Sequence, residues 1–178
     1  MAYGENEVIS DIEFESRVFY LFTFINFEKN WRLVYKTGTP KALSLVKILE
    51  KRIESEVPEV FYHMEEQGID VQMSFDQAFI TILLYYTPMN FSKRIIDMFL
   101  LIGEKVIIDV LIRMLAICKE EILQRESPEI LHSFLKKDLV DYCFSKYAGL
   151  VHTLIPQPQT EVFENQFEEE NPIIQNFT

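Results

Sequence analysis

Glycine and proline are sparse in this chain, five and seven among 178 residues, so few positions interrupt a helix. Cysteine is rarer still. Cys118 and Cys143 have no CxxC partners, which argues against a disulfide scaffold or a thiol-rich zinc site and for buried, inert thiols. The three histidines, His63, His132 and His152, lie far apart, and none has a second His, Cys or carboxylate at a metal-ligand spacing. No glycine-rich phosphate loop occurs. The opening residues MAYGENEVIS lack the basic and apolar parts of a signal peptide, and no Arg precedes Arg17, so a basic presequence is not evident.

Positive charge is also short. Seventeen Lys and Arg face 28 Asp and Glu, giving a net charge of −11 and a pI near 4.8. Such a field repels phosphate backbones and anionic lipid, so no nucleic-acid partner is expected and basic partners are favoured. The expected setting is reducing, cytoplasmic or cytoskeletal, with an organellar or ciliary complex left open.

A charge-free hydrophobic run long enough for a membrane is missing as well. The most apolar long stretch, KRIIDMFLLIGEKVIIDVLIRML at 93–115, carries Asp97, Glu104, Lys105, Asp109 and Arg113. At roughly 2.5 to 3.5 kcal/mol for each charge near the bilayer centre, insertion is disfavoured. Gly103 followed by Glu104 and Lys105 reads as a turn between two helices with wide apolar faces. The chain is therefore not expected to be transmembrane.

What is abundant is apolar and aromatic: 48% of residues are hydrophobic, with 15 Phe and 8 Tyr. A single domain of this length buries roughly 70% of its unfolded surface. Apolar residues recur at three- and four-residue spacing, which predicts an all-α protein. In TPKALSLVKILEKRIESEVP, Thr39 can cap and Pro40 can open a helix whose stripe is Leu43, Val46, Leu49 and Ile53. Ser74 and Gln77 form a capping-box pattern ahead of an apolar run from Ala78 to Tyr86, ended by Pro88. Asn90 can cap a helix to Ile102, and a longer helix follows to about Gln124. Ser127 and Pro128 start another, and the last helix runs to about Tyr147. Ile and Val are frequent between 95 and 112, but the charges there repeat at helical spacing, which favours helix over strand.

From Thr153 the composition changes to three Pro, five Glu and no basic residue. The organisation expected is an arm at 1–10, a helical domain at 11–152 and an acidic tail at 153–178. Phe163, Phe167, Ile173, Ile174 and Phe177 interrupt the tail, and apolar residues spaced along an acidic extended segment suit docking into a partner's groove. A frayed solubilising tail is the alternative.

Acid–base chemistry finds no support. Glu65–Glu66, Glu120–Glu121 and Glu168–Glu170 read as solvated faces, with no nucleophile, base and oxyanion donor around them. Trp31 is read as packing. No cofactor, metal or catalytic residue is expected.

Residues 59–103, EVFYHMEEQGIDVQMSFDQAFITILLYYTPMNFSKRIIDMFLLIG, resemble the C-terminal half of a TBC domain, the all-helical domain of Rab GTPase-activating proteins. The markers are ordered: His63, then EEQGI containing Gly68, then FxT at Phe79 to Thr81, then Pro88, then RIIDMFLLIG with Arg94, Asp97 and Gly103. The downstream RMLAICKEEIL and SPEILHSFLK, and the upstream DIEFESRVFYLF, resemble flanking helices, so the likeness covers about residues 11 to 140. Two family tryptophans are replaced, by Ala78 and Ile96.

The resemblance implies a catalytic arginine in IxxDxxR and a glutamine in YxQ. Neither motif occurs: no Ile is followed by Asp at the third place, and no Tyr by Gln at the second. Arg113, four residues after Asp109, reads as a helix pair, and Arg94 with Asp97 as a structural pair. The likeness spans about half of a domain, so apolar faces are expected to need a partner. The function expected is a non-catalytic TBC-like scaffold or accessory subunit, bound to protein subunits of a larger assembly. The alternative is a regulatory module for a Rab-type small GTPase, or half of a split GTPase-activating protein.

Overall fold

The computed structural model describes residues 10–85, 87–147 and 153–155, and among them there is helix, turn and bend but no strand. The all-α expectation holds. The centre of the fold is α6 (Lys105–Ile117), in which Val106, Ile107, Ile108, Val110, Leu111, Ile112, Met114 and Leu115 are all buried. A helix apolar on every side must be covered on every side. The cover comes from α2 (Pro40–Glu56), α5 (Met89–Ile102), α7 (Lys119–Leu123) and α9 (Leu139–Lys146). The run at 93–115 is thus two helices, α5 and α6, and among the described residues no helix is long and apolar enough to cross a membrane.

Gly103 makes that turn possible. It sits at φ 72°, ψ −155°, a region open only to glycine, and closes α5 by donating its N–H to the Phe99 carbonyl at 2.9 Å. α2 buries Ala42, Leu45, Val46, Leu49 and Ile53, so its stripe gains Ala42 and Leu45 over the expected set, and Leu43 lies at its edge, half-buried. Each of the Leu, Val and Ile side chains is worth about 1.5 to 3 kcal/mol of burial. α3 (Pro58–Glu66) ends in a left-handed Gly68, with the Ile69 N–H reaching back to the Met64 carbonyl at 2.8 Å.

Several helix boundaries differ from expectation. Thr39 precedes α2 in a left-handed conformation and its side chain caps nothing; Pro40 alone marks the start. α4 (Val71–Ile80) begins earlier than the Ser74–Gln77 pattern, because the Asp70 carboxylate accepts the Met73 N–H at 3.0 Å. Ser74 instead lies inside α4, its hydroxyl bonded to the Asp70 carbonyl. The run to Tyr86 does not stay helical: Ile82 and Leu83 take φ of 54° and 61°, ending the helix at Ile80 so that both side chains turn into the core. For a β-branched residue this is a strained backbone, retained because burial outweighs it. Asn90 lies inside α5, behind Pro88. The helix expected to reach Gln124 breaks at Cys118 between α6 and α7, and α8 (Pro128–Ser133) passes through a wide turn at Phe134–Asp138 into α9.

The two ends of the described chain behave oppositely. α1 (Asp11–Thr23), continued by a wide helical turn at Phe24–Glu28, contains no buried residue. Leu154 and Ile155, expected at the beginning of the tail, are buried in the core, and Arg113 donates to the Thr153 carbonyl.

Candidate interaction surface

The ordered markers of the sequence are placed mainly at joints. His63 lies on α3 and its Nε2–H donates to the Arg125 carbonyl at 3.0 Å, tying α3 to the segment after α7. That bond gives a donor to a backbone carbonyl in the irregular segment between α7 and the next helix. Gly68 and Gly103 are the left-handed closures of α3 and α5, and the Pro88 carbonyl accepts the Phe91 and Ser92 N–H groups, both at 2.9 Å.

Arg94 and Asp97 are both exposed on α5, and no ion pair joins them, which corrects the pair read from their spacing. Three residues apart is compatible with contact on a helix but does not require it, because solvent competes for both charges. The Asp109–Arg113 pair is corrected too. Asp109, 8% exposed on α6, accepts from Arg52 of α2, while Arg113 turns to Thr153. Arg52 also binds Glu56, with Nε–Oε1 at 2.5 Å. The hydrogen bonds to Glu56 and Asp109 raise the guanidinium, and the bond from Arg52 lowers the Glu56 carboxyl. A buried carboxylate is thereby compensated, and α2 is pinned to α6 by charge as well as by packing.

A second polar cluster surrounds α7. Lys146 binds Glu121 Oε1 and the Tyr142 hydroxyl, both at 2.6 Å, while the Arg125 guanidinium lies 3.6 Å from the Phe134 ring centroid. Lys146 lowers the Glu121 carboxyl, and Glu121 raises the Lys146 ammonium. Every group in this cluster serves another, and no nucleophile lies within it. Cys118 and Cys143 are fully buried; their mutual hydrogen bond pushes the Cys118 thiol up and pulls Cys143 down. Among the described residues no three His, Cys, Asp or Glu converge as a metal site.

The arginines are accounted for in the same way. Arg17 pairs with Glu13 at 2.6 Å, Arg32 lies 4.9 Å from the Phe27 ring centroid, and Arg52, Arg113 and Arg125 are held as above. Arg94 has no ion-pair partner among the described residues.

What remains open is apolar. On α1, Ile12, Phe14, Phe19, Tyr20 and Phe22 are each at least 60% exposed, and Val18 is half exposed. Residues 18–22, VFYLF, are apolar at five consecutive positions and so point around the whole helix. The sequence reading matched this segment to a family helix and missed its exposure; the consecutive aromatic run was the available signal. A second open area is a groove of about 390 Å³ lined by Leu84, Thr87, Met89, Ser92, Lys93, Ile96 and Asp97. The tail residues Phe163, Phe167, Ile173, Ile174 and Phe177 lie outside the described residues.

This is an all-helical body in which His63, Gly68, Pro88 and Gly103 lie at joints and the largest exposed helix face is hydrophobic. The Rab-GTPase-TBC domain model matches residues 8–123, about two thirds of the chain, and the chain belongs to that family. Relatives include TBC domain-containing protein C4G8.04 of Schizosaccharomyces pombe, 31% identical over 97 residues, which are 54% of this chain and 12% of that protein. Rab GTPase-activating protein eat-17 of Caenorhabditis elegans is 28% identical over 138 residues, 76% of this chain and 15% of its own length. GTPase-activating protein GYP5 of Saccharomyces cerevisiae is 25% identical over 116 residues, 64% and 13% of the two chains. The chain thus matches only a small part of the length of these relatives.

Proposed function

We propose that this chain is a non-catalytic TBC-like scaffold or accessory subunit that binds other proteins through α1 and through its acidic, aromatic tail. The observation that carries the reading is α1: a 13-residue helix with no buried side chain and large aromatics around its circumference. Contiguous apolar surface above a few hundred Å² marks an interaction site on a folded protein. The 178 residues also contain neither IxxDxxR nor YxQ. A trans-acting arginine neutralises charge on the transferring phosphoryl group and is worth roughly 10³ to 10⁵ in rate, and these 178 residues supply it in no motif of that kind. The setting consistent with this role is the cytoplasm or a cytoskeletal or ciliary assembly.

A panel of Rab proteins loaded with GTP, mixed with the purified chain, tests the proposal. Hydrolysis at the intrinsic rate is expected, and robust acceleration by the chain alone overturns it. The alternative, a regulatory module for a Rab-type GTPase or half of a split activator, draws on the activity named for the eat-17 relative. Nucleotide-dependent retention of a Rab protein on the immobilised chain, without faster hydrolysis, favours that alternative.

A further inference from the structure

We propose that the acidic tail docks in cis on α1 and its root, so that residues 161–177 cover the aromatic helix that the core leaves bare. The inference rests on the reading of α1 and the tail as binding elements, and it makes each the first occupant of the other, which a partner must displace. Local charge, tail chemistry and reach support it independently.

The chain is acidic overall, yet from 18 to 49 it carries the bases Lys29, Arg32, Lys36, Lys41 and Lys47 against the single acid Glu28. Lys29 Nζ lies 5.7 Å from the Phe24 ring centroid, and the Arg32 guanidinium lies 4.9 Å from that of Phe27. At the root of the α1 arm, aromatic rings and cations therefore share one surface. Arg32 and Lys36 are exposed, and neither has an ion-pair partner among the described residues. The arm's other acids, Asp11, Glu13 and Glu15, sit at its far end. Glu15 is about 18 Å from Phe27 along a helix axis, beyond the roughly 8 to 10 Å over which salt leaves exposed charges unscreened.

The tail carries the complement. All 17 Lys and Arg lie between Arg17 and Lys146, and from Pro156 onward there are five Glu and no base, interspersed with Phe163, Phe167, Ile173, Ile174 and Phe177. A segment that mixes carboxylates with apolar side chains matches a surface that mixes cations with aromatic rings. The acids at 168–170 suit Lys29, Arg32 and Lys36, while the apolar residues on either side suit the stretch at 19–27. There Phe19, Tyr20, Phe22 and Phe27 are all more than half exposed.

The tail also leaves from a fixed point, since Arg113 donates to the Thr153 carbonyl and Leu154 and Ile155 are in the core. At roughly 3.3 Å per extended residue, Phe167 reaches up to about 40 Å from Ile155 and Phe177 up to about 70 Å. A folded body of this size is about 40 Å across, so the root of the arm is within range wherever on the body the tail begins. A flexible tether of such length gives an effective concentration on the order of 1 mM, at which even a weak contact is populated.

The test is limited proteolysis of the full chain by chymotrypsin. Cutting after Phe163 is followed by mass spectrometry, and the rate for the isolated tail peptide of the same sequence, divided by the rate in the chain, gives the protection. When opening is fast, that ratio reports how rarely the tail is free. Protection of at least about tenfold is expected from the effective concentration. Phe19→Asp with Phe22→Asp should abolish it and leave the unfolding midpoint unchanged, because α1 contains no buried residue. Arg32→Glu with Lys36→Glu should also lower it, and adding Glu168→Lys, Glu169→Lys and Glu170→Lys should restore it, a recovery that a damaged fold does not give. A contact in cis keeps the same protection from about 1 to about 100 μM, whereas association between molecules depends on concentration. A tail cut as fast as the free peptide, protection indifferent to both the arm and the charge substitutions, or protection lost on dilution overturns the proposal. The two readings fail separately: rapid GTP hydrolysis defeats the scaffold whatever the protection, and an unprotected tail defeats docking in cis whatever the hydrolysis rate.

Discussion

Replacing Asp109 by Asn should destabilise the fold by about 2 to 3 kcal/mol, and the size follows from the surroundings. Asp109 is 8% exposed on the central helix, and its carboxylate takes the Arg52 guanidinium across from α2. Removing one partner from a fully buried pair costs about 3 to 5 kcal/mol, because the other is left as an uncompensated charge. Here the stranded group is Arg52, whose side chain is 28% exposed and still bound to Glu56 at 2.5 Å. Water and Glu56 therefore offset part of the penalty, which brings the figure below the fully buried range. Urea unfolding followed by circular dichroism measures it. In a double-mutant cycle, Arg52→Met alone should be harmful, while Arg52→Met with Asp109→Leu should recover most of the loss by exchanging the pair for apolar contact. An Asp109→Asn cost below about 0.5 kcal/mol, or strictly additive single and double variants, would refute the compensation argument.

Gly103→Ala should cost about 1 to 3 kcal/mol, read in the same unfolding assay. A Cβ there meets nothing within 4 Å, so the loss is backbone strain at φ 72°, ψ −155° and not a clash. His63→Ala should cost about 1 to 2 kcal/mol and raise hydrogen exchange around Arg125, whose carbonyl loses its 3.0 Å donor. Acid should weaken the fold. Bonds from Arg52 and Lys146 lower the carboxyl groups of Glu56 and Glu121 below their usual 4.5, so their contribution is complete above pH 4.5 and is lost as pH falls through the depressed folded values. Glu56→Gln with Glu121→Gln should flatten that decline in unfolding midpoints. Finally, Cys118 and Cys143 should resist an aromatic disulfide reagent until the protein unfolds, because both are fully buried.

Local chemistry made most of the helices legible. Pro40, Pro58 and Pro128 open α2, α3 and α8, where a missing N–H costs nothing, and Gly68 and Gly103 follow helices that only a left-handed residue can close this way. Failures came where a nonlocal demand overrode a local signal. Ser74–Gln77 is a good capping pattern, yet Asp70 captured the helix start and placed Ser74 in the core. The apolar run through Tyr86 favours continued helix, but burying both Ile82 and Leu83 required the backbone to reverse at Ile80. The Asp109–Arg113 pair failed similarly, since a neighbour four residues away on the same helix competes with an arginine from another helix, Arg52 of α2.

The sequence by itself determined an all-α protein of the Rab-GTPase-TBC domain family, because helical period, terminal prolines and glycines, and ordered markers are properties of short segments. It also disfavoured the run at 93–115 as a membrane span, since its charges travel with it wherever it packs. Only the tertiary structure decided that Asp109 belongs to Arg52, that His63 holds the Arg125 carbonyl and that α1 stands clear of the core. Those facts depend on which helices become neighbours. An apolar helix has the same sequence whether the helices around it cover it, as with α6, or leave it open, as with α1.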